Sequence, residues 1–172
     1  ACPPPSRAVV GVDPPAGIGG DACGIVVVAL AGEGAAYVVE DASVTGASPD
    51  RWARAVSDAA GRHGADRVIA EANQGGAMVE SVLRAVDASV PVKAVRAKRG
   101  KWLRAEPVAA LYERGRVAHV GAFPALEDEL CGLVTGGGYE GPGRSPDRAD
   151  ALVWALTELM LGTRGGASVR SL

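Results

Sequence analysis

The apolar positions of the chain fall into short runs, each closed by an acid, a proline or a glycine-rich stretch. Residues 8–13 (AVVGVD) end in an acid and meet Pro14 and Pro15, the pattern of a buried strand followed by a turn. Residues 23–30 (CGIVVVAL) predict a second strand and residues 35–40 a third, with a turn at 32–34 between them. Such short connections favour an antiparallel meander. The period then changes. Ser48 is placed to cap a helix with Pro49 in its first turn, running to about His63 before Gly64. Residues 68–71 (VIAE) predict a fourth strand, again ending in an acid, followed by a helix over 77–86 and a fifth strand over 90–95. A helix over about 102–114 contains Pro107. A short edge strand at 116–120, a short helix at 124–133 and a Gly-rich loop at 135–144 follow. A last helix, capped by Ser145, runs through Leu161. Three antiparallel strands followed by parallel βα units predict an α/β fold, a mixed sheet with helices on both faces.

Composition narrows this picture. The chain has 172 residues and is 48% hydrophobic, enough for one domain with a sizeable core. No apolar run approaches the roughly 20 residues of a membrane span, and the Pro-rich start has no basic or apolar leader pattern. Residues 1–6 read as the end of an interdomain linker, 7–161 as the domain and 162–172 as a flexible tail, so a piece of a longer protein is expected. The net charge of −2 does not by itself announce a nucleic-acid partner, so charge distribution matters more. Cys2, Cys23 and Cys131 lack CxxC spacing, which excludes a zinc signature and an even disulfide framework. Cys23 and Cys131 sit among apolar residues and are expected to be buried free thiols, as suits a reducing cytoplasm. His63 and His119 are isolated and read as structural or surface groups. Trp52 and Trp154 read as core.

The candidate chemistry lies in the acids. Asp13 closes the first strand and Glu71 the fourth, each before a Gly- or Pro-rich turn. Ligand sites in open α/β sheets favour the carboxyl ends of strands. If those strands are neighbours, the two carboxylates converge, a costly arrangement unless a cation joins them or one is protonated. Asp147 and Asp150 are three apart and share a helix face. With no His or Cys cluster, hard oxygen donors point to Mg²⁺ or Mn²⁺. Each acid also has a structural reading. Asp13 would shape a turn before proline, Glu71 would be a surface strand end, and Asp147 would complement a helix macrodipole. Asp150, deeper in its helix, has less need to be acidic.

One segment is strongly basic. Arg96, Lys98, Arg99, Lys101 and Arg104 precede and enter the helix that starts near Trp102. Cations at a helix start oppose the macrodipole, which favours contact with a DNA backbone over a merely solvated face. Trp102, within this run, reads either as a DNA contact or as a pin for the helix. Asn73, Gln74, Gly75 and Gly76 would orient Glu71, admit a phosphate, or simply form a turn.

Three patches together carry a family resemblance: Val9-Val10-Gly11-Val12-Asp13-Pro14, then Val68-Ile69-Ala70-Glu71-Ala72-Asn73-Gln74-Gly75-Gly76, then Ser145-Pro146-Asp147-Arg148-Ala149-Asp150-Ala151. In this order and spacing the chain resembles, over about residues 7–161, the nuclease domain of phage-type large terminases. That is a branch of the ribonuclease H-like superfamily. The resemblance implies a ribonuclease H-like fold and a divalent-metal-dependent endonuclease that cuts concatemeric double-stranded DNA during viral genome packaging. It implies Asp13, Glu71 and Asp150 as catalytic metal-binding acids, with Asp147 auxiliary, serving two Mg²⁺ or Mn²⁺ ions. It sets Lys98, Arg99, Lys101 and Arg104 beside the groove for DNA. It also implies an ATPase domain in the full-length protein, a portal and a small terminase subunit as partners, and the cytoplasm of a bacterial host. The chain has no GxxxxGK[ST] loop, so it is not that ATPase. The rival expectations are a junction resolvase, acting as a dimer on four-way DNA, or a ribonuclease H. A rival of another class is a noncatalytic docking module of the motor, which would not need the acids.

Overall fold

Strand β1, Arg7–Asp13, is buried from Ala8 to Val12, and its side chains divide between two cores. Val10 and Val12 enter one apolar cluster and Val9 the other, as the two-residue period of a strand requires. Strand β2, Ala22–Leu30, pairs antiparallel with β1 from Arg7 opposite Leu30 to Asp13 opposite Gly24. It divides in the same way, with Val26 and Val28 on one face and Ile25 and Val27 on the other. These strands belong to a computed structural model that describes residues 5–15, 22–72, 76–98, 100–134 and 136–162. After a 3₁₀ turn at Gly32–Gly34, β3 (Ala36–Asp41) completes the antiparallel meander. A short β4, Val44–Thr45, pairs with the start of β2.

Helix α1, Pro49–Arg62, begins as expected: Ser48 accepts the backbone N–H of Arg51 and Pro49 stands in the first turn. Strand β5 (Arg67–Glu71), helix α2 (Gly76–Val86), strand β6 (Val92–Val95), helix α3 (Lys101–Glu113), strand β7 (Val117–His119), helix α4 (Pro124–Cys131) and helix α5 (Asp147–Leu156) follow. The main sheet runs β6-β5-β1-β2-β3-β7, with β4 paired to β2. Its β1–β5, β5–β6 and β3–β7 pairings are parallel. The mixed α/β sheet with helices on both faces is thus present. Trp52, Val56 and Ala59 of α1 and Val79 and Leu83 of α2 fill one core; residues of α3, α4 and α5 fill the other. Every residue of α5 from Ala149 to Leu156 is buried, and Leu152 and Leu156 are fully so. Each of those leucines contributes about 1.5–3 kcal/mol of apolar burial. No helix among the described residues is long and apolar enough to cross a membrane.

Several local expectations are corrected. Ser145 does not cap the last helix: its hydroxyl donates to the Asp147 carboxylate. The N–H groups of Arg148 and Ala149 go instead to Glu129 of α4, at 2.7 and 3.1 Å. The cap comes from another element, and Pro146 occupies the cap position. The helix ends at Leu156 and passes into a π-helical turn, Thr157–Leu161. Part of the Gly-rich stretch forms a small hairpin of β8 (Leu133–Val134) and β9 (Gly138–Tyr139). Cys23 is buried, but Cys131 is exposed. It stands two positions, about 200° of helical turn, beyond the buried Glu129. Trp52 is core as expected. Both histidines are structural. His63 meets Glu40 at 2.7 Å, and His119 bridges Tyr112 and Glu127 at 2.8 and 3.0 Å.

Candidate metal centre

The alternation that buries β1 also aims its last residue. Asp13 follows Val9 and Gly11 onto the face covered by α5. In β5, Val68 and Ala70 enter the opposite core, which turns Glu71 to the α5 face. Val12 stands beside Ala70 in the parallel register, so the two strands end together and their acids share one rim.

Helix α5 reaches this rim because two glycines let it. A Cβ on Gly11 would lie 1.9 Å from the Ala151 carbonyl oxygen, and one on Gly24 would lie 1.9 Å from that of Asp147. No side chain fits at either point. Gly24 faces Asp13 across β1 and β2, so the helix turn carrying Asp147 and Asp150 is laid over the end of β1. Four carboxylates gather there, from two strands and one helix.

Their electrostatics follow from this crowding. Burial, then the like charges of Asp150 and Glu71, hold the Asp13 carboxyl well above the ordinary carboxylate range. Burial also raises Asp150, against the opposing pull of Lys101 and Arg104. Asp150 is 3% exposed, a cost that needs cationic compensation. Two cations of α3 supply it. The Lys101 ammonium pairs with Asp150 Oδ2. Burial works against that charge, but the pairing with Asp150 and the field of Asp13 outweigh it and raise the Lys101 pKa. Arg104 stands 3.3 Å from Glu71 Oε2 and 4.0 Å from Asp150 Oδ1. Its guanidinium lies 4.6 Å from the centre of the Trp154 ring, a cation–π arrangement. The Trp154 indole N–H donates to Glu71 Oε2 at 2.7 Å. Glu71 is thereby held from two sides. Arg104 Nε and Asp150 Oδ2 are buried without a hydrogen-bond partner among the described residues, so Lys101 meets Asp150 as a close ion pair.

The structure therefore brings together Asp13, Glu71, Asp147 and Asp150, and draws Lys101 and Arg104 in among them. Lys98 stands exposed between β6 and α3. Arg99 lies outside the described residues, as do Asn73, Gln74, Gly75 and the tail beyond Gly162. Trp102 is half-buried and lines an apolar groove with Val108, Leu130 and Cys131. Trp154, expected only as core, also serves the acids, and Glu129 serves α5. Beside Asp147 an open cavity of about 680 Å³ is lined by Ser145, Arg144, Arg148, Thr45 and Asp128. Arg148 is itself engaged, 2.8 Å from Glu129 and 3.2 Å from Asp41.

The donor set suits a hard divalent cation: carboxylate oxygens, crowded and desolvated. As they stand, no three or more His, Cys, Asp or Glu side chains among the described residues are grouped so that they could hold a metal ion. Among the described residues, the Lys101 ammonium and the Arg104 guanidinium are counter-charges placed between the carboxylates.

Sheet order, helices on both faces and an acid rim at the ends of β1 and β5 define a ribonuclease H-like fold. Within that class, the terminase RNaseH-like domain matches residues 10–159, and the chain belongs to that family. It is similar to the large terminase nuclease of thermophilic phage G20c with bound magnesium (20% identity, 91% of this chain and 84% of that one, TM-score 0.68). It is similar to the nuclease domain of the large terminase subunit gp2 of bacterial virus Sf6 (15% identity, 91% and 89%, TM-score 0.65). It is also similar to T. thermophilus RuvC in complex with a Holliday junction substrate (20% identity, 92% and 96%, TM-score 0.54). No curated protein sequence matches the chain.

Proposed function

We propose that this domain is a divalent-metal-dependent endonuclease that cuts double-stranded DNA during viral genome packaging. The observation that carries the reading is the gathering of Asp13, Glu71, Asp147 and Asp150 at one rim, where burial and like charge raise the Asp13 carboxyl and burial raises that of Asp150. Family membership and the magnesium bound by the G20c nuclease support it. When bound, two Mg²⁺ or Mn²⁺ ions would supply a hydroxide at neutral pH and stabilisation of the departing 3′ oxygen. Asp13, Glu71 and Asp150 would hold the ions, with Asp147 auxiliary. Trp154 and Arg104 would orient Glu71, as outer partners of metal ligands do. Lys98, Arg99, Lys101 and Arg104 remain the proposed positioning cations for the duplex, although Lys101 and Arg104 are engaged by the acids in the protein alone. An ATPase domain, a portal and a small subunit are the partners this role would require, in the cytoplasm of a bacterial host.

Plasmid digestion in Mg²⁺, Mn²⁺ or EDTA tests the reading. Cleavage in either metal and none in EDTA is expected. A folded protein inert in both metals would overturn it. A four-way junction in the same assay separates the resolvase alternative: strong preference for the junction over linear duplex would favour a RuvC-like role.

A further inference from the structure

Among the described residues two cations, Arg104 and Lys101, face the acid rim, and they are built differently. Arg104 is fixed: its side chain is 10% exposed, it pairs with Glu71, and Trp154 lies under it. Lys101 is not. It is the first residue of α3, behind Gly100, which provides no side-chain cap. Its side chain is 47% exposed, and its ammonium contact in the rim is Asp150. A lysine in a first helical turn is opposed by the macrodipole, so the acids, not the helix, hold this ammonium inward. Its flexible four-carbon stem lets the head move to water while the stem stays in place.

We propose that Lys101 is a displaceable counter-charge. Its ammonium neutralises the acid rim of the metal-free protein by occupying Asp150, and it leaves that carboxylate when a divalent ion is bound. Released, it joins exposed Lys98 on the approach to the rim, where a phosphate backbone would take it up. Metal loading thereby creates a DNA contact that the metal-free protein lacks, and by linkage a duplex that draws Lys101 outward tightens metal binding. This proposal rests on the metal-site reading above.

The test reads binding rather than cleavage. Mn²⁺ is titrated into the whole protein without DNA, with free Mn²⁺ followed by its EPR signal, and Ca²⁺ is titrated by calorimetry. Lys101→Met removes the competing charge and keeps the stem, and should bind Mn²⁺ about three- to tenfold more tightly than wild type, the range expected when a half-exposed ion pair and a nearby like charge are lost. Lys101→Arg keeps the charge and should bind no more tightly than wild type. Circular dichroism confirms that both variants are folded. Equal, measurable Mn²⁺ affinities in wild type and Lys101→Met would overturn the counter-charge and leave the metal site standing. Absence of Mn²⁺ and Ca²⁺ binding from all three proteins would overturn both.

Discussion

The molecule carries two clusters of opposite charge at the two ends of the same strands. Strands β1 and β5 begin with Arg7 and Arg67 and end with Asp13 and Glu71. At the first end, Glu158, on the π-helical turn after α5, receives Arg7, Arg67 and Lys93 at 3.5, 2.8 and 2.7 Å. At the other, Lys101 and Arg104 face four carboxylates. Burial works to raise the Glu158 carboxyl, but Lys93 and Arg67 outweigh it and hold the group below the ordinary range. Asp13 is pushed the other way. Both clusters tie helix to sheet, yet in only one of them do the acids outnumber the cations among the described residues. A cluster with enough cations needs no further partner and reads as structure. A cluster whose acids outnumber its cations is poised to take up a positive ion.

The largest expected effect breaks the second cluster alone. Asp13→Asn, Glu71→Gln and Asp150→Asn should each reduce plasmid cleavage by more than about 100-fold, beyond the cost of losing an outer partner of a ligand. Glu158→Gln should leave cleavage per folded molecule unchanged. Wild-type cleavage by folded Asp13→Asn would show that the charge imbalance has no catalytic meaning. Trp154→Phe is a finer cut, because it keeps an aromatic ring in the core, at some cost in packing volume, and removes the N–H that orients Glu71. A loss of roughly 10-fold in Mn²⁺ affinity is expected. Unchanged binding in calorimetry would mean that Arg104 alone orients that carboxylate.

The two clusters should also divide the pH dependence of metal-free stability. An acid whose folded pKa is raised holds its proton where the unfolded chain has lost it. Stability therefore falls as pH rises above its ordinary value, 3.8 for Asp13. An acid whose folded pKa is lowered does the reverse: its contribution is present above the ordinary value, 4.5 for Glu158, and is lost as pH falls through the folded one. Urea midpoints in EDTA across pH 3–8 should show Asp13→Asn flattening the decline toward neutrality. Glu158→Gln should flatten the loss in acid, with an effect of about 1 kcal/mol, because its three partners are partly exposed and readily solvated. Identical curves for the two variants would mean that the clusters are electrostatically alike.

What could be read from the sequence, and what could not, follows the range of each interaction. The strands were legible because short apolar runs, 8–12 and 68–70, ended in Asp13 and Glu71. The rim was legible once those strands were taken as neighbours. Gly11 and Gly24 carried the signal for the approach of α5, since a glycine inside a strand marks close backbone contact, but they do not say which element approaches. The cap of α5 misled: Ser145 stands at the usual place, whereas the working acceptor is Glu129, nineteen and twenty positions before the groups it binds. The basic run misled in a similar way. Its density was visible, but not the inward turn of Lys101 and Arg104, which depends on acids from three other elements. Trp154 looked like core because it is core; its bond to Glu71 spans 83 positions.

The smallest effect concerns a cation outside both clusters. Lys98 is exposed, and the acid rim does not hold it as it holds Lys101. If it contacts a DNA backbone, that contact displaces a condensed counterion, and Lys98→Ala should flatten the plot of log affinity against log salt by at most about 0.9. A solvated surface cation displaces none and would leave the slope alone. The measurement is fluorescence anisotropy with two duplexes of unrelated sequence in Ca²⁺ at several salt concentrations. The reduction should be the same for both duplexes, because a phosphate contact carries no base information. Mn²⁺ binding without DNA should not change, since Lys98 is not among the acids' partners; this separates it from Lys101→Met, which is expected to alter metal affinity even when no duplex is present. An unchanged salt slope in Lys98→Ala would make this residue part of a solvated face and shift the DNA-binding role to the cavity beside Asp147, where exposed Arg144 is the next cation to replace.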